Sequence, residues 1–302
     1  MISHRRALDI INARFGSHPG YRALHAKGVL LKGTFTATPE AARLTRAQHM
    51  QGDPVPATVR LSNGSGDPDL PDYGPEVRGM AVKFYLPDGT RTDISAQTVP
   101  RFPTRTPDAF MNLLRASIPG PARLWRLPLF LATHPEVLPA LRANAPTLKP
   151  PASYATIKYN AVHAFKWIDA GGGERYVRYY WLPETEEPPL SKEEAKSRGR
   201  DYLQEEIEER LARGPVRFTL ELTIAEPGDK VDDPSAVWPD DREKVAAGTL
   251  ELTELETGRE TDGDVLVFDP VRVTDGIELS DDPILRYRSP AYSVSVERRI
   301  AR

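Results

Sequence analysis

No cysteine occurs among the 302 residues. That excludes disulfides, thiolate metal sites, cysteine nucleophiles and any redox step carried by a thiol. Long apolar runs are missing too, and no stretch approaches the ~18 residues needed to cross a bilayer. The opening Met1-Ile2-Ser3-His4-Arg5-Arg6 leads into an amphipathic stretch with no apolar signal core, so a cytoplasmic protein with no membrane span is expected. Neither sign of charge dominates: 40 Lys and Arg against 43 Asp and Glu leave −3, which gives no electrostatic reason to expect nucleic acid or an anionic membrane as partner. The six histidines show no metal-ligand spacing, and no Gly-x-Ser-x-Gly elbow is present. Repeats, low-complexity tracts and an interdomain linker are all absent, so a single domain over 1–302 is expected, long enough to bury a substantial core.

What is present is a series of short strands interrupted by blocks of helix. Residues 3–14 carry Ala7, Ile10 and Ile11 at helical spacing before Phe15-Gly16. The β-branched and aromatic residues of 58–62 and 80–85 predict strands, the second followed by the turn Pro87-Asp88-Gly89. Residues 106–145 switch to helical periodicity broken by Pro119, Pro121, Pro128 and Pro135, which predicts three short helices. Strands are predicted at 162–167 and 175–181 across Gly171-Gly172-Gly173. A capping box, Ser191 with Glu194, then opens one helix that shows Leu203, Ile207 and Leu211 on one face and ends at Gly214-Pro215. Val216, Phe218, Leu220, Leu222 and Ile224 alternate as a half-buried strand should. Further strands are predicted at 249–254 and 265–268, and a last helix from Asp282 to Arg302. Regularly spaced strands with helices inserted as blocks indicate an α+β fold around a closed or nearly closed antiparallel β-barrel with inserted and flanking helices.

Most candidate motifs have a plain structural reading. Gly64-Ser65-Gly66 lacks the third glycine and strand–helix context of a dinucleotide site and reads as a turn. The acidic runs 184–187 and 205–209 read as solvated surface. Two segments carry more. In Tyr21-Arg22-Ala23-Leu24-His25-Ala26-Lys27-Gly28 a histidine stands between apolar neighbours, which by itself fits a core residue. In the segment 286–299, Arg288 and Tyr292 stand at i,i+4 and share one helix face. A phenol titrates near ~10 and needs a nearby cation to ionise at neutral pH, and Arg288 supplies one.

Together these segments resemble the catalases, and specifically the short catalase-related haem peroxidases. His25-Ala26-Lys27-Gly28 is similar to the distal haem segment, Val59-Arg60-Leu61-Ser62 and Arg78-Gly79-Met80-Ala81-Val82-Lys83-Phe84-Tyr85 to two strands of the family. His163-Ala164-Phe165-Lys166, Trp238-Pro239, Phe268-Asp269-Pro270 and the Arg288…Tyr292…Arg299 pattern follow in the family's order, so the resemblance spans about residues 15–300. It implies haem b with Tyr292 as the phenolate ligand of the iron, kept ionised by Arg288. It implies His25 as distal acid–base residue, oriented by Ser62. Arg22, Arg60 and Arg299 would pair with haem propionates, and Leu24, Phe110 and Phe268 would line the pocket.

The sequence departs from the family pattern at Asp93-Ile94-Ser95-Ala96-Gln97-Thr98-Val99-Pro100, which puts Gln97 where catalases place an asparagine over the haem. The chain also ends ten residues after Tyr292, where true catalases continue into a helical region that helps bind NADPH and lock a tetramer. Neither NADPH nor that tetramer is therefore expected, and a homodimer stays open. The implied function is reduction of hydrogen peroxide or an organic hydroperoxide by a small-molecule electron donor, with weak catalase activity. The alternatives are hydroperoxide rearrangement of the allene oxide synthase kind and a haem-binding sensor or carrier without turnover.

Overall fold

A computed structural model describes residues 1–258 and 265–300. Helix α1 (His4–Phe15) is capped by the Ser3 hydroxyl, which accepts from the Arg6 amide, and buries Ala7, Leu8, Ile10 and Ile11 on one face. There follow β1 (Gly28–Ala37), a short α2 (Pro39–Leu44), and the strands β2 (Val55–Asn63), β3 (Arg78–Tyr85) and β4 (Arg91–Gln97). The inserted block is α3 (Pro107–Ala116), α4 (Arg123–Thr133) and α5 (Leu138–Asn144). Next come β5 (Tyr159–Ile168), β6 (Glu174–Pro183), α6 (Lys192–Ser197), α7 (Tyr202–Arg213), β7 (Val216–Ile224) and β8 (Lys244–Leu255). A three-residue β9 (Ile277–Leu279) and α8 (Pro283–Ile300) complete the described chain.

Every strand pairing is antiparallel, and β1 to β8 form a closed barrel, in the order β4-β3-β2-β1-β8-β7-β6-β5 with β4 returning to β5 through Gln97 and Asn160. Strand β9 adds to the edge of β5. The period-2 alternation of the strands separates two environments. One face of β1–β4 points into the barrel and carries Leu31, Val59, Val82 and Ile94 in one row and Leu61, Met80 and Ala96 in the next, all in the main core with Phe35, Trp181, Leu220 and Leu250. Full burial of each large side chain there contributes on the order of 1.5–3 kcal/mol. The other face carries three rows. They are Gly28–Ser62–Gly79–Gln97, then Leu30–Arg60–Ala81–Ser95, then Lys32–Thr58–Lys83–Asp93. That outer face bears Ser62, Arg60 and Gln97 of the residues singled out above.

The expected barrel with inserted and flanking helices is observed, with local differences. The helix expected over 191–213 is two: the Ser191/Glu194 box caps α6, and the chain breaks at Gly199, whose φ of 112° favours glycine, before α7 restarts. Residues 265–268 join no strand; they run as a loop held by side chains described below. Pro128 does not break its segment but lies inside α4, so the three helices of the block are divided by Pro119, Pro121 and Pro135. Strands β1, β4 and β9 were not anticipated. Gly28 and Gly33 weaken the strand signal of β1, yet a Cβ at Gly28 would lie 2.4 Å from the Leu61 carbonyl oxygen and one at Gly33 2.5 Å from that of Glu251. Asp93 reads as a turn residue in β4, but Lys83 opposite it neutralises the carboxylate at 2.5 Å.

Candidate active site

His25 enters β1 with a φ of 56°, the left-handed region few residues adopt. Its backbone N–H donates to the Gly64 carbonyl (3.1 Å) and that of Ala26 to Ser65 (2.9 Å), so the 64–66 turn holds it in that conformation. Nδ1 lies 3.0 Å from the Ser62 hydroxyl. The imidazole packs against Gly79, where an added Cβ would stand 2.7 Å from the ring. Gln97 is the cross-strand partner of Gly79, and directly opposed residues project from the same face, so its amide belongs to the same row as Ser62. Burial, reinforced by Arg60, Arg288 and Arg22, pulls the His25 pKa down to about 3, so the ring is neutral at neutral pH. With Nδ1–H donating to Ser62, Nε2 is the basic nitrogen.

Arg60, 5% exposed, donates to the Ala26 carbonyl (3.1 Å). Arg22 donates to the Leu266 carbonyl (2.8 Å) and lies 5.9 Å from the Phe268 ring centroid. Phe268 clusters with Leu30, Leu266 and Ala81, against the second row of the outer face. Asp93 holds this loop in place: its carboxylate accepts from the Asp269 amide (2.8 Å) and from Arg272 (2.9 Å) as well as from Lys83.

Asp282 stands immediately before α8. One carboxylate oxygen caps the helix, accepting from the Ile284 and Leu285 amides at 2.8 and 3.2 Å, and the other lies 2.6 Å from His163 Nδ1. His163 Nε2 accepts from Arg288 (3.2 Å), and Arg288 Nε donates to the Tyr292 oxygen (2.7 Å). Burial lowers the His163 pKa against the pull of Asp282. A neutral His163 donating to Asp282 is the tautomer that can accept from Arg288. Phe102 lies 6.4 Å from His163 and 4.7 Å from Phe110. Phe110 and Leu24 share one apolar cluster with Ala291 and Val294, the residues beside Tyr292 on α8. Arg299 follows seven residues after Tyr292, on the same helix face. The fold thus gathers His25, Ser62 and Gln97 in one group and Arg288 and Tyr292 in another, with Arg288 near enough to act on the His25 pKa. Among the described residues no three His, Asp or Glu side chains converge as a metal-ligand set.

The site has a pH signature. His49, its ring tilted 36° against that of Phe84 at 4.9 Å, is pulled by burial to a pKa of about 3, like His25. Between about 6.5 and about 3 the unfolded chain protonates both rings and the folded chain does not. Their neutral burial therefore costs nothing above the unfolded pKa, and stability falls as pH drops through that window. Melting temperature should decline from pH 6.5 to pH 4, and His49→Leu should make the slope shallower. An unchanged slope in that variant would show that His49 is not a source of it.

A family model described as Catalase matches residues 19–302.

The chain belongs to the catalase family.

Two relatives share almost its whole length. The catalase-related peroxidase of Mycolicibacterium paratuberculosis is 49% identical over 97% of this chain and 94% of its own. The catalase-related peroxidase of Synechococcus elongatus is 32% identical over 97% and 88%. In fold the chain is similar to a fungal catalase crystal structure, with a TM-score of 0.80 at 23% identity over 94% of this chain and 60% of that one. The chain thus carries the catalase barrel. Sequence reasoning gave no role to Asp282 or to His163, which join Arg288 and Tyr292 in one hydrogen-bonded row. The available signal was an Asp before the Pro at a helix start, together with a histidine in a buried strand.

Proposed function

We propose that this catalase-family protein is a haem b peroxidase that reduces hydrogen peroxide or an organic hydroperoxide with a small-molecule donor. The observation that carries the reading is the pairing of a phenol oxygen, hydrogen-bonded by a guanidinium, with a neutral imidazole near that same guanidinium. The residues fit a haem: an oxygen ligand, apolar walls in Leu24, Phe110 and Phe268, and arginines Arg22, Arg60 and Arg299 suited to two carboxylates. When bound, the haem supplies the redox centre that passes two donor electrons to the peroxide.

The chain's own residues do the rest. Tyr292 would hold the iron through its oxygen, which accepts a hydrogen bond from Arg288. His25 Nε2 takes the proton from one peroxide oxygen and returns it to the other, so that water or an alcohol leaves in place of its anion. Ser62 holds the ring in place through Nδ1, and Nε2 acts as the base when Nδ1 carries the proton. Over the cycle one hydroperoxide, two electrons and two protons give one alcohol and one water. Gln97 offers an amide in the same row, longer by a methylene than the asparagine of catalases, and misplacement of ~1 Å can cost ~10²-fold. Donor oxidation should be readily measured and oxygen release from hydrogen peroxide weak, with Gln97→Asn moving the ratio toward oxygen. Oxygen release at the speed of a true catalase would overturn the peroxidase reading and leave the haem; a preparation that neither binds haem nor oxidises donor would overturn both.

A further inference from the structure

Helix α4 is apolar on two opposite sides. Phe130, Leu127 and Leu131 pack inward with Ala116 and Val137. The opposite side is uncovered: Leu124 is 83% exposed, Trp125 59% and Leu129 55%, with Pro128 and Ala132 exposed between them. At ~100° per residue these five positions fill one continuous arc of about 140°. A helix in such a place normally shows water a polar face, and a contiguous apolar patch marks a contact surface.

The surroundings are cationic. From residue 109 to 135 the chain has Arg115, Arg123 and Arg126 and no acidic residue, with Asp108 and Glu136 bounding the stretch, although the whole protein is net negative. Among the described residues, none of these three arginines forms an ion pair. Arg126 lies over the Trp125 ring at 5.4 Å. Arg14, whose pKa is lowered by burial and then by Arg123, adds a fourth guanidinium beside α4. The net charge of −3 therefore hides a local separation of charge.

We propose that α4 lies on an anionic lipid surface, with Leu124, Trp125 and Leu129 in the headgroup–acyl boundary and the flanking arginines on the phosphates. A second copy of the chain is a poorer occupant, because α4 itself carries Arg123 and Arg126 and no carboxylate, so a two-fold contact centred on this face would bring like charges together. An aromatic and aliphatic face, an arginine border and no acidic side chain match an interfacial helix. No described helix is long and apolar enough to span a membrane, so the mode is attachment to a surface. The inference goes beyond the peroxidase reading and does not depend on it. Helix α4 does, however, pack on α3, which carries Phe110, so an attached protein would hold one wall of the candidate pocket close to the lipid.

Of the four tryptophans only Trp125 is substantially exposed, the others being at most 5% accessible, so the native chain carries its own probe. The experiment uses the purified full chain with vesicles of phosphatidylcholine alone and with about a third phosphatidylglycerol. Expected are co-sedimentation with the anionic vesicles, a blue shift of the Trp125 emission, and release at high salt. Trp125→Ala with Leu129→Ser should weaken partitioning at least tenfold with melting temperature and donor oxidation unchanged. Three results would overturn the proposal: no binding to anionic vesicles, equal binding by the double variant, or a dimer in solution that the double variant converts to monomer.

Discussion

Tyr292→Phe should fold like the parent and fail to keep haem. The substitution removes one oxygen and keeps the ring that α8 packs beside Ala291 and Val294, so the melting temperature of the haem-free protein should change little. What is lost is the acceptor of the Arg288 Nε hydrogen bond and, on the reading above, the only protein atom bonded to iron. Haem content after purification should drop by more than about tenfold, and the tyrosinate-type high-spin ferric spectrum should vanish. Asp282→Asn acts on the same oxygen through two intermediates. It keeps an acceptor for the helix cap but weakens the hold on His163, and outer partners of a metal ligand commonly account for about 10–100-fold in affinity. A Tyr292→Phe protein with unaltered haem content and spectrum would place the ligand elsewhere.

His25→Ala should do the reverse, retaining haem while slowing donor oxidation by roughly 10²–10⁴-fold, the range for a lost general acid–base residue. The backbone complicates this variant. At a φ of 56° an alanine is strained by about 1–2 kcal/mol, so part of any loss could come from a shifted turn at 64–66. His25→Asn separates the two effects, because asparagine tolerates the left-handed region and carries no base of useful pKa. Both variants should be slow, with only the alanine form less stable. Near-normal turnover by the asparagine variant would remove His25 from the chemistry.

The alternation of β7 and the capping box of α6 were legible because they are local: period-2 hydrophobicity and a three-residue spacing are complete within a few positions. The Arg288–Tyr292 hydrogen bond was legible for the same reason, since i,i+4 on a helix is a contact. Asp282 and His163 lie 119 positions apart and are joined only by the packing of α8 on β5, which no local pattern encodes. Strand β4 was hidden because Asp93 counts as a strand breaker until Lys83 stands opposite it. The 265–268 segment misled in the other direction. Its apolar residues have strand composition, but the loop is anchored by the Asp93 carboxylate and Arg22, and its backbone joins no sheet.

The two groups of the site also stand at opposite ends of the chain, His25 before the first strand and Tyr292 on the last helix. During synthesis, which proceeds from the N-terminus and lets early segments fold first, the residue proposed as acid–base group exists long before the residue proposed to hold iron. The row of small residues that receives His25 is ready once β1 to β4 have paired. Asp282, His163 and Arg288 can meet Tyr292 only after the ring of strands has closed and the final helix has docked on it. A nascent or truncated chain therefore presents an imidazole with nothing to act on. On the reading proposed above, the chemistry can begin only once α8 has docked, when the barrel wall already separates it from the apolar core.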